Sequence, residues 1–148
     1  MSSFVVDSLH VAKGRRLPMR AVEEVEIETA RGIVGDRYHG SKHRQVTVQS
    51  LDDLRVAEAE LGAPIGAGLT RRNITVTGGS VPRDPGAIIR IGEVVLEVVR
   101  VSAPCKLLDD TIGEGAQRAL RHRGGSCCRV LEGGRVEVGD VVATSGPP

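Results

Sequence analysis

Short runs of Val, Ile and Leu recur along this 148-residue chain, each cut off by Gly, Pro or an acidic turn. They return roughly every ten residues, the spacing of an all-β barrel or sandwich. With 19 Gly and 7 Pro available as breaks, the runs place strands at 4–11, 21–28, 45–49, 73–76, 87–91, 94–102, 127–131, 135–138 and 141–144. No repeated βαβ period interleaves them, which argues against a doubly wound sheet. Two hairpin signals look alike, Gly92-Glu93 and Gly139-Asp140, each a Gly-acidic pair between β-branched runs and suited to a turn with positive φ.

One helix is well marked. Ser50 can cap the segment 51–61, Asp53 stands three residues on, Leu51, Leu54 and Leu61 supply an apolar side, and Gly62 follows. A second helix is expected over 114–122, ended by Gly124-Gly125. The expected architecture is a single mainly β domain spanning 1–148, a closed or partly closed barrel with two or three short helices at its ends.

Composition narrows the function. A net charge of +1 at pH 7 removes the electrostatic basis for bulk polyanion binding. Phe4 and Tyr38 are the only aromatic residues, so no stacking platform for single-stranded nucleic acid can be built. No apolar run reaches the 18 or so residues of a membrane span. Three cysteines, Cys105, Cys127 and Cys128, in a chain starting without a basic, apolar leader, point to free thiols in a reducing cytoplasm. Nucleic acid and membrane are therefore not expected partners.

Chemistry concentrates in three places. Residues 31–44 hold three glycines, His39, His43 and a set of basic residues between two strands. Such a loop can aim backbone N–H groups and cations at an anion. It is not a P-loop, because no Gly-Lys-Ser/Thr leads a helix, and no dinucleotide fingerprint is present. Arg71-Arg72-Asn73 stands at a strand entrance, where paired Arg can clamp phosphate and Asn can meet a heterocycle edge. Cys105 follows Pro104 at the end of a long apolar strand and precedes Lys106, an arrangement that favours thiolate for nucleophilic attack or metal ligation. Cys127 and Cys128 fall in one strand and point to opposite faces, one expected in the core and the other exposed. His10 reads as a polar strand position. Zinc-site spacing and a Gly-x-Ser-x-Gly nucleophile are both missing.

The ordered series resembles the MOSC domain, the module at the C-terminus of molybdenum cofactor sulfurases that also occurs as free-standing proteins. The resemblance is carried by the runs 32–36, His39-Gly40 with Arg44-Gln45-Val46, Arg72-Asn73-Ile74, 86–98, Pro104-Cys105 and 139–142, in the family's order. It implies a MOSC-type β-barrel, association with molybdenum–molybdopterin, and a functional cysteine at Cys105, as acceptor and carrier of persulfide sulfur or as molybdenum ligand. Cofactor contacts are expected from Asp36, Arg37, His39, Lys42, Arg44, Arg72 and Asn73, of which Lys42, Arg44, Arg72 and Asn73 supply the complement to an anionic phosphate on a planar heterocycle. The sequence carries no pyridoxal-phosphate desulfurase region and no ferredoxin-like segment, so a cysteine desulfurase or a redox protein is the expected partner. From another class, a non-catalytic barrel binding a small anion or a protein is the alternative.

Overall fold

The computed structural model describes residues 4–103 and 107–147. Eleven strands and three α-helices are found among them: β1 (Phe4–Val11), β2 (Arg20–Val22), β3 (Glu24–Glu28), β4 (Gly32–Ile33), β5 (Val46–Ser50), α1 (Leu51–Leu61), β6 (Ile74–Thr77), β7 (Ile88–Ile91), β8 (Val94–Val101), α2 (Leu107–Thr111), α3 (Ala116–Ala119), β9 (Ser126–Glu132), β10 (Gly134–Glu137) and β11 (Val141–Ser145). A 3-10 turn, Ala67–Thr70, leads into β6.

The main sheet runs β11-β7-β8-β9-β5-β6-β1-β2, and β11 also pairs with β1. That last pairing, Phe4 opposite Val142 and Val5 opposite Val141, closes seven strands into a barrel and leaves β2 attached to its rim. A three-stranded sheet, β10-β3-β4, stands beside it. All pairs are antiparallel except β5 with β6, which α1 and the 3-10 turn connect as a crossover. The barrel is therefore the mainly β fold that the spacing of apolar runs anticipates.

Alternation explains the core. Val6, Leu9, Val46, Val48, Ile74, Val76, Ile89, Ile91, Leu96, Val98 and Cys128 are among the buried side chains of one cluster. A second cluster joins Leu54 and Ala57 of α1 to Ile65, Leu108, Ala116, Ala119 and Leu120, which seats the helices as a separate layer. The α1 boundary follows its caps: Ser50 Oγ accepts from the Asp53 N–H, and Gly62 ends the helix at φ +76.

Four expectations are corrected. The run 21–28 is two strands, because the chain leaves the barrel at Glu23: Val22 pairs with β1, Glu24 with β10. Gly92-Glu93 turns a true hairpin, with Ile91 opposite Val94. Gly139-Asp140 does not, since β10 pairs with β3 and β11 with β1 and β7. The second turn is instead a corner docked on β1, where Gly139 N–H donates to the Val6 carbonyl and Val6 N–H to the Asp140 carbonyl. The helix expected over 114–122 extends only from Ala116 to Ala119, and the chain then turns through His122 at φ +63. Cys127 and Cys128 are both buried, because β5 and the first residues of β9 are covered on both faces. No helix among the described residues is long and apolar enough to cross a membrane.

Candidate functional site

After Val11 the chain makes a loop over residues 12–19 before returning as β2, and a turn from Gly14 to Leu17 forms its tip. Beneath that loop lies the end of the 3-10 turn, where Arg71 adopts a left-handed backbone at φ +64. From there its guanidinium reaches up: Nη1 donates to the Leu17 carbonyl and Nη2 to the Arg15 carbonyl, both at 2.9 Å. One side chain thus fastens the loop tip.

Between these parts opens a cleft of about 1130 Å³, lined by residues that include His10, Arg15, Arg16, Met19, Arg71 and Thr111. Among the described residues three of its lining side chains are arginines and none is acidic. Burial, with Arg37 and Arg44 adding to it, pulls the Arg71 guanidinium below its ordinary value, against the opposing pull of Tyr38 and Asp36. A site that crowds cations in this way favours a ligand bearing negative charge.

The loop after β4 supports this cleft from behind. Asp36 is buried, and its carboxylate accepts from Ala12 N–H at 3.1 Å and from Tyr38 N–H at 3.2 Å. Arg37 follows the same course: its N–H donates to the Ala12 carbonyl, Nη1 to Asp36 and to the Met19 sulfur, and Nη2 to the Arg71 carbonyl at 3.1 Å. Asp36 and Arg37 therefore hold Met19 and Arg71 in the cleft wall. The guanidinium groups of Arg37 and Arg44 both lie over the Tyr38 ring, 4.5 and 4.6 Å from its centre.

The remaining motif residues go elsewhere. His39 is exposed and pairs with Glu28 at the end of β3, 2.5 Å away. Lys42 is exposed. Arg72 is buried and turned away from Arg71, with Nε donating to the Gly124 carbonyl at 2.8 Å and Nη2 within 3.4 Å of the Ser102 and Ala103 carbonyls. Asn73 is buried, its Oδ1 accepting from the Thr47 N–H and hydroxyl and its Nδ2 donating to the His10 carbonyl. The structure thus brings Asp36, Arg37 and Arg44 to the Arg71 side of the molecule and gives Arg72 and Asn73 partners inside the fold. Cys105, with Pro104 and Lys106, lies outside the described residues.

Of the charged and titratable residues lining the cleft, the sequence singles out Arg71 but not His10, Arg15 or Arg16. His10 reads as an ordinary strand position, and Arg15-Arg16 belong to no motif. The usable signal was the Lys13-Gly14-Arg15-Arg16 run between two strands, a basic loop as dense as the one singled out. Among the described residues no three of His, Cys, Asp and Glu converge as they would around a metal ion.

Comparison with known proteins agrees with this architecture. The MOSC domain family model matches residues 35–143. The crystal structure of YuaD from Bacillus subtilis superposes with a TM-score of 0.87 at 17% identity, covering 96% of this chain and 95% of that one. YiiM from Geobacillus stearothermophilus gives 0.78 at 18% identity over 97% of this chain and 75% of its own. YiiM from Escherichia coli gives 0.73 at 17% identity over 99% and 71%. None of the curated proteins matches the sequence significantly.

Proposed function

This chain belongs to the MOSC domain family, and from that premise we propose that it binds the molybdenum–pterin cofactor at the cleft beneath the 12–19 loop, with Cys105 as its sulfur-handling residue. The observation that carries the reading is the cleft itself, three arginines and a histidine with no carboxylate among the described residues that line it. A phosphorylated planar heterocycle needs cations for its anionic oxygens and a cavity of several hundred Å³ for its rings, and this cleft offers both. When bound, the cofactor would supply a redox-active metal that accepts soft sulfur ligands.

The chain's own residues divide the work. Arg15, Arg16 and Arg71 neutralise anionic oxygens, and Arg37 holds Arg71 in place through its carbonyl. Arg72 ties down the Ser102 and Ala103 carbonyls, the backbone immediately ahead of Pro104-Cys105. In sulfur carriage, the Cys105 thiolate attacks the outer sulfur of a desulfurase persulfide, the new S–S bond forms on Cys105, and the desulfurase cysteine departs as thiolate. As a molybdenum ligand the same thiolate would need no sulfur donor but an outside redox partner.

Protein purified from a cofactor-producing host is expected to carry molybdopterin, or to bind it when supplied. The reading falls if it does neither while another family member run alongside does both. Incubation with a cysteine desulfurase and cysteine is expected to add about 32 Da to Cys105 ahead of Cys127 and Cys128, which are buried. Labelling spread equally over the three thiols would refute sulfur carriage. A plain anion-binding barrel, the competing reading that the same cationic cleft favours, predicts that Cys105→Ser leaves every measurable function intact.

A further inference from the structure

His10 is a histidine whose inner ring nitrogen holds nothing among the described residues. Its Nδ1 is buried without a hydrogen-bond partner there, and its backbone is already committed, N–H to the Asn73 carbonyl and carbonyl to the Asn73 amide. The ring lines the cleft beside Arg15, Arg16 and Arg71. It fits there because residue 68 has no side chain: a Cβ on Gly68 would stand 3.1 Å from both Cδ2 and Nε2. Burial holds the imidazole below its ordinary value, opposed by Asp7, so the ring is neutral at physiological pH.

A neutral imidazole carries one proton, and its position follows from the surroundings. An N–H buried with no acceptor is rarer and costlier than a bare lone pair, so the proton belongs on Nε2. Arginine only donates hydrogen bonds, and a phosphoryl group surrounded by arginines still has oxygen lone pairs to spare. An apolar residue at position 10 would be the more stable choice, since it would leave no orphaned nitrogen. Keeping a polar group at a stability cost is what a binding site does.

We propose that His10 is a specificity-determining residue of the cleft, donating its Nε2–H to a phosphoryl oxygen of the ligand, with Gly68 as the gap that lets it do so. The inference deepens the cofactor reading, since it names the group at the anionic end of that site.

Three variants and two probes test it. Nitrogen-15 NMR of the imidazole, assigned with His10→Phe, is expected to show the Nε2–H tautomer, with Nε2 shifting when pyrophosphate is added. His10→Phe is expected to bind pyrophosphate about ten-fold more weakly, the worth of one hydrogen bond, with a melting temperature equal to or above that of the parent protein. His10→Gln, which keeps a donor, is expected to recover part of the loss. Gly68→Ala, at a backbone position without positive φ, is expected to weaken binding by covering Nε2. An Nδ1–H tautomer, no pyrophosphate binding by the parent protein, or undiminished binding by both His10→Phe and Gly68→Ala would overturn the proposal. A melting temperature that falls in step with affinity would overturn it too, as the mark of a structural histidine. If pyrophosphate binds as expected and molybdopterin does not, the cofactor reading fails and the assignment of His10 stands.

Discussion

Asn73 joins three strands with one side chain. Its Oδ1 accepts from the Thr47 N–H on β5, its Nδ2 donates to the His10 carbonyl on β1, and it stands at the start of β6. Replacing it with Ala orphans the buried Thr47 N–H, at about 1–3 kcal/mol, and removes a bond to the part-buried His10 carbonyl, at about 1 kcal/mol. Asn73→Ala is therefore expected to lower unfolding stability by about 2–4 kcal/mol in urea titrations, while Arg15→Ala and Arg16→Ala, at exposed positions, stay within about 0.5 kcal/mol of the parent. Equal losses in all three would show that the loop arginines are structural. The same contrast explains what could be read from residue type. Asp36, Arg72 and Asn73 attract attention because they are polar residues in fixed motifs, yet a side chain that docks a loop and one that grips a ligand use the same donors and acceptors. His10 reads only as a polar strand position for the opposite reason: strand alternation gives its face, but the gap above it is made by Gly68, 58 positions along the chain.

At the scale of elements, what is decided within one turn of chain is legible and what is decided by distant partners is not. Ser50, Asp53 and Gly62 mark α1 to the residue, because capping is settled within one turn of chain. Gly92-Glu93 and Gly139-Asp140 share one local chemistry, and only the partner strands, distant in sequence, decide that the first is a hairpin and the second a corner. Gly124-Gly125, expected as a helix stop, instead lets the chain approach other strands: a Cβ on Gly124 would overlap the Ser102 carbonyl oxygen, and one on Gly125 the Val48 carbonyl oxygen. Gly125 also sits at φ +84, just ahead of the Ser126–Val48 pairing that sets β9 against β5. Gly139 has positive φ as well, but open space around it. Gly139→Ala is expected to cost about 1–2 kcal/mol, the left-handed penalty alone. Gly125→Ala adds overpacking against backbone and is expected to lose roughly 2–5 kcal/mol or fail to fold. Thermal melts that rank the two alike would show that β9 can shift away from β5 without loss.

For the whole molecule, the barrel class was legible from the even spacing of apolar runs, whereas the closure of β1 on β11 joins the two ends of the chain and leaves no local mark. Closure makes the interior one unit, and Cys128 reports on it. Its thiol is wholly buried in the barrel cluster, and burial, with Cys127 adding to it, pushes it far above the ordinary thiol range. In the unfolded chain the same thiol ionises near 8.5. The folded protein therefore keeps a proton that the unfolded chain gives up above that pH, so this contribution is fully present below about 8.5 and is lost as pH rises. The limiting slope is about 1.4 kcal/mol per pH unit, which between pH 8.5 and 10 amounts to about 2 kcal/mol. Urea unfolding of the parent protein and of Cys128→Ala across that range isolates the effect. The variant is expected to be less stable at pH 7, since it leaves a small cavity, but to lose less stability on going to pH 10, so that the two curves converge. Thiol labelling supplies the second measure: below pH 8.5 Cys128 is expected to react only at the rate set by opening of the whole barrel, with a free energy equal to that from urea. Labelling of Cys128 with a much smaller opening energy would mean that the barrel opens at one seam, and the closure between β1 and β11 would be the first place to look.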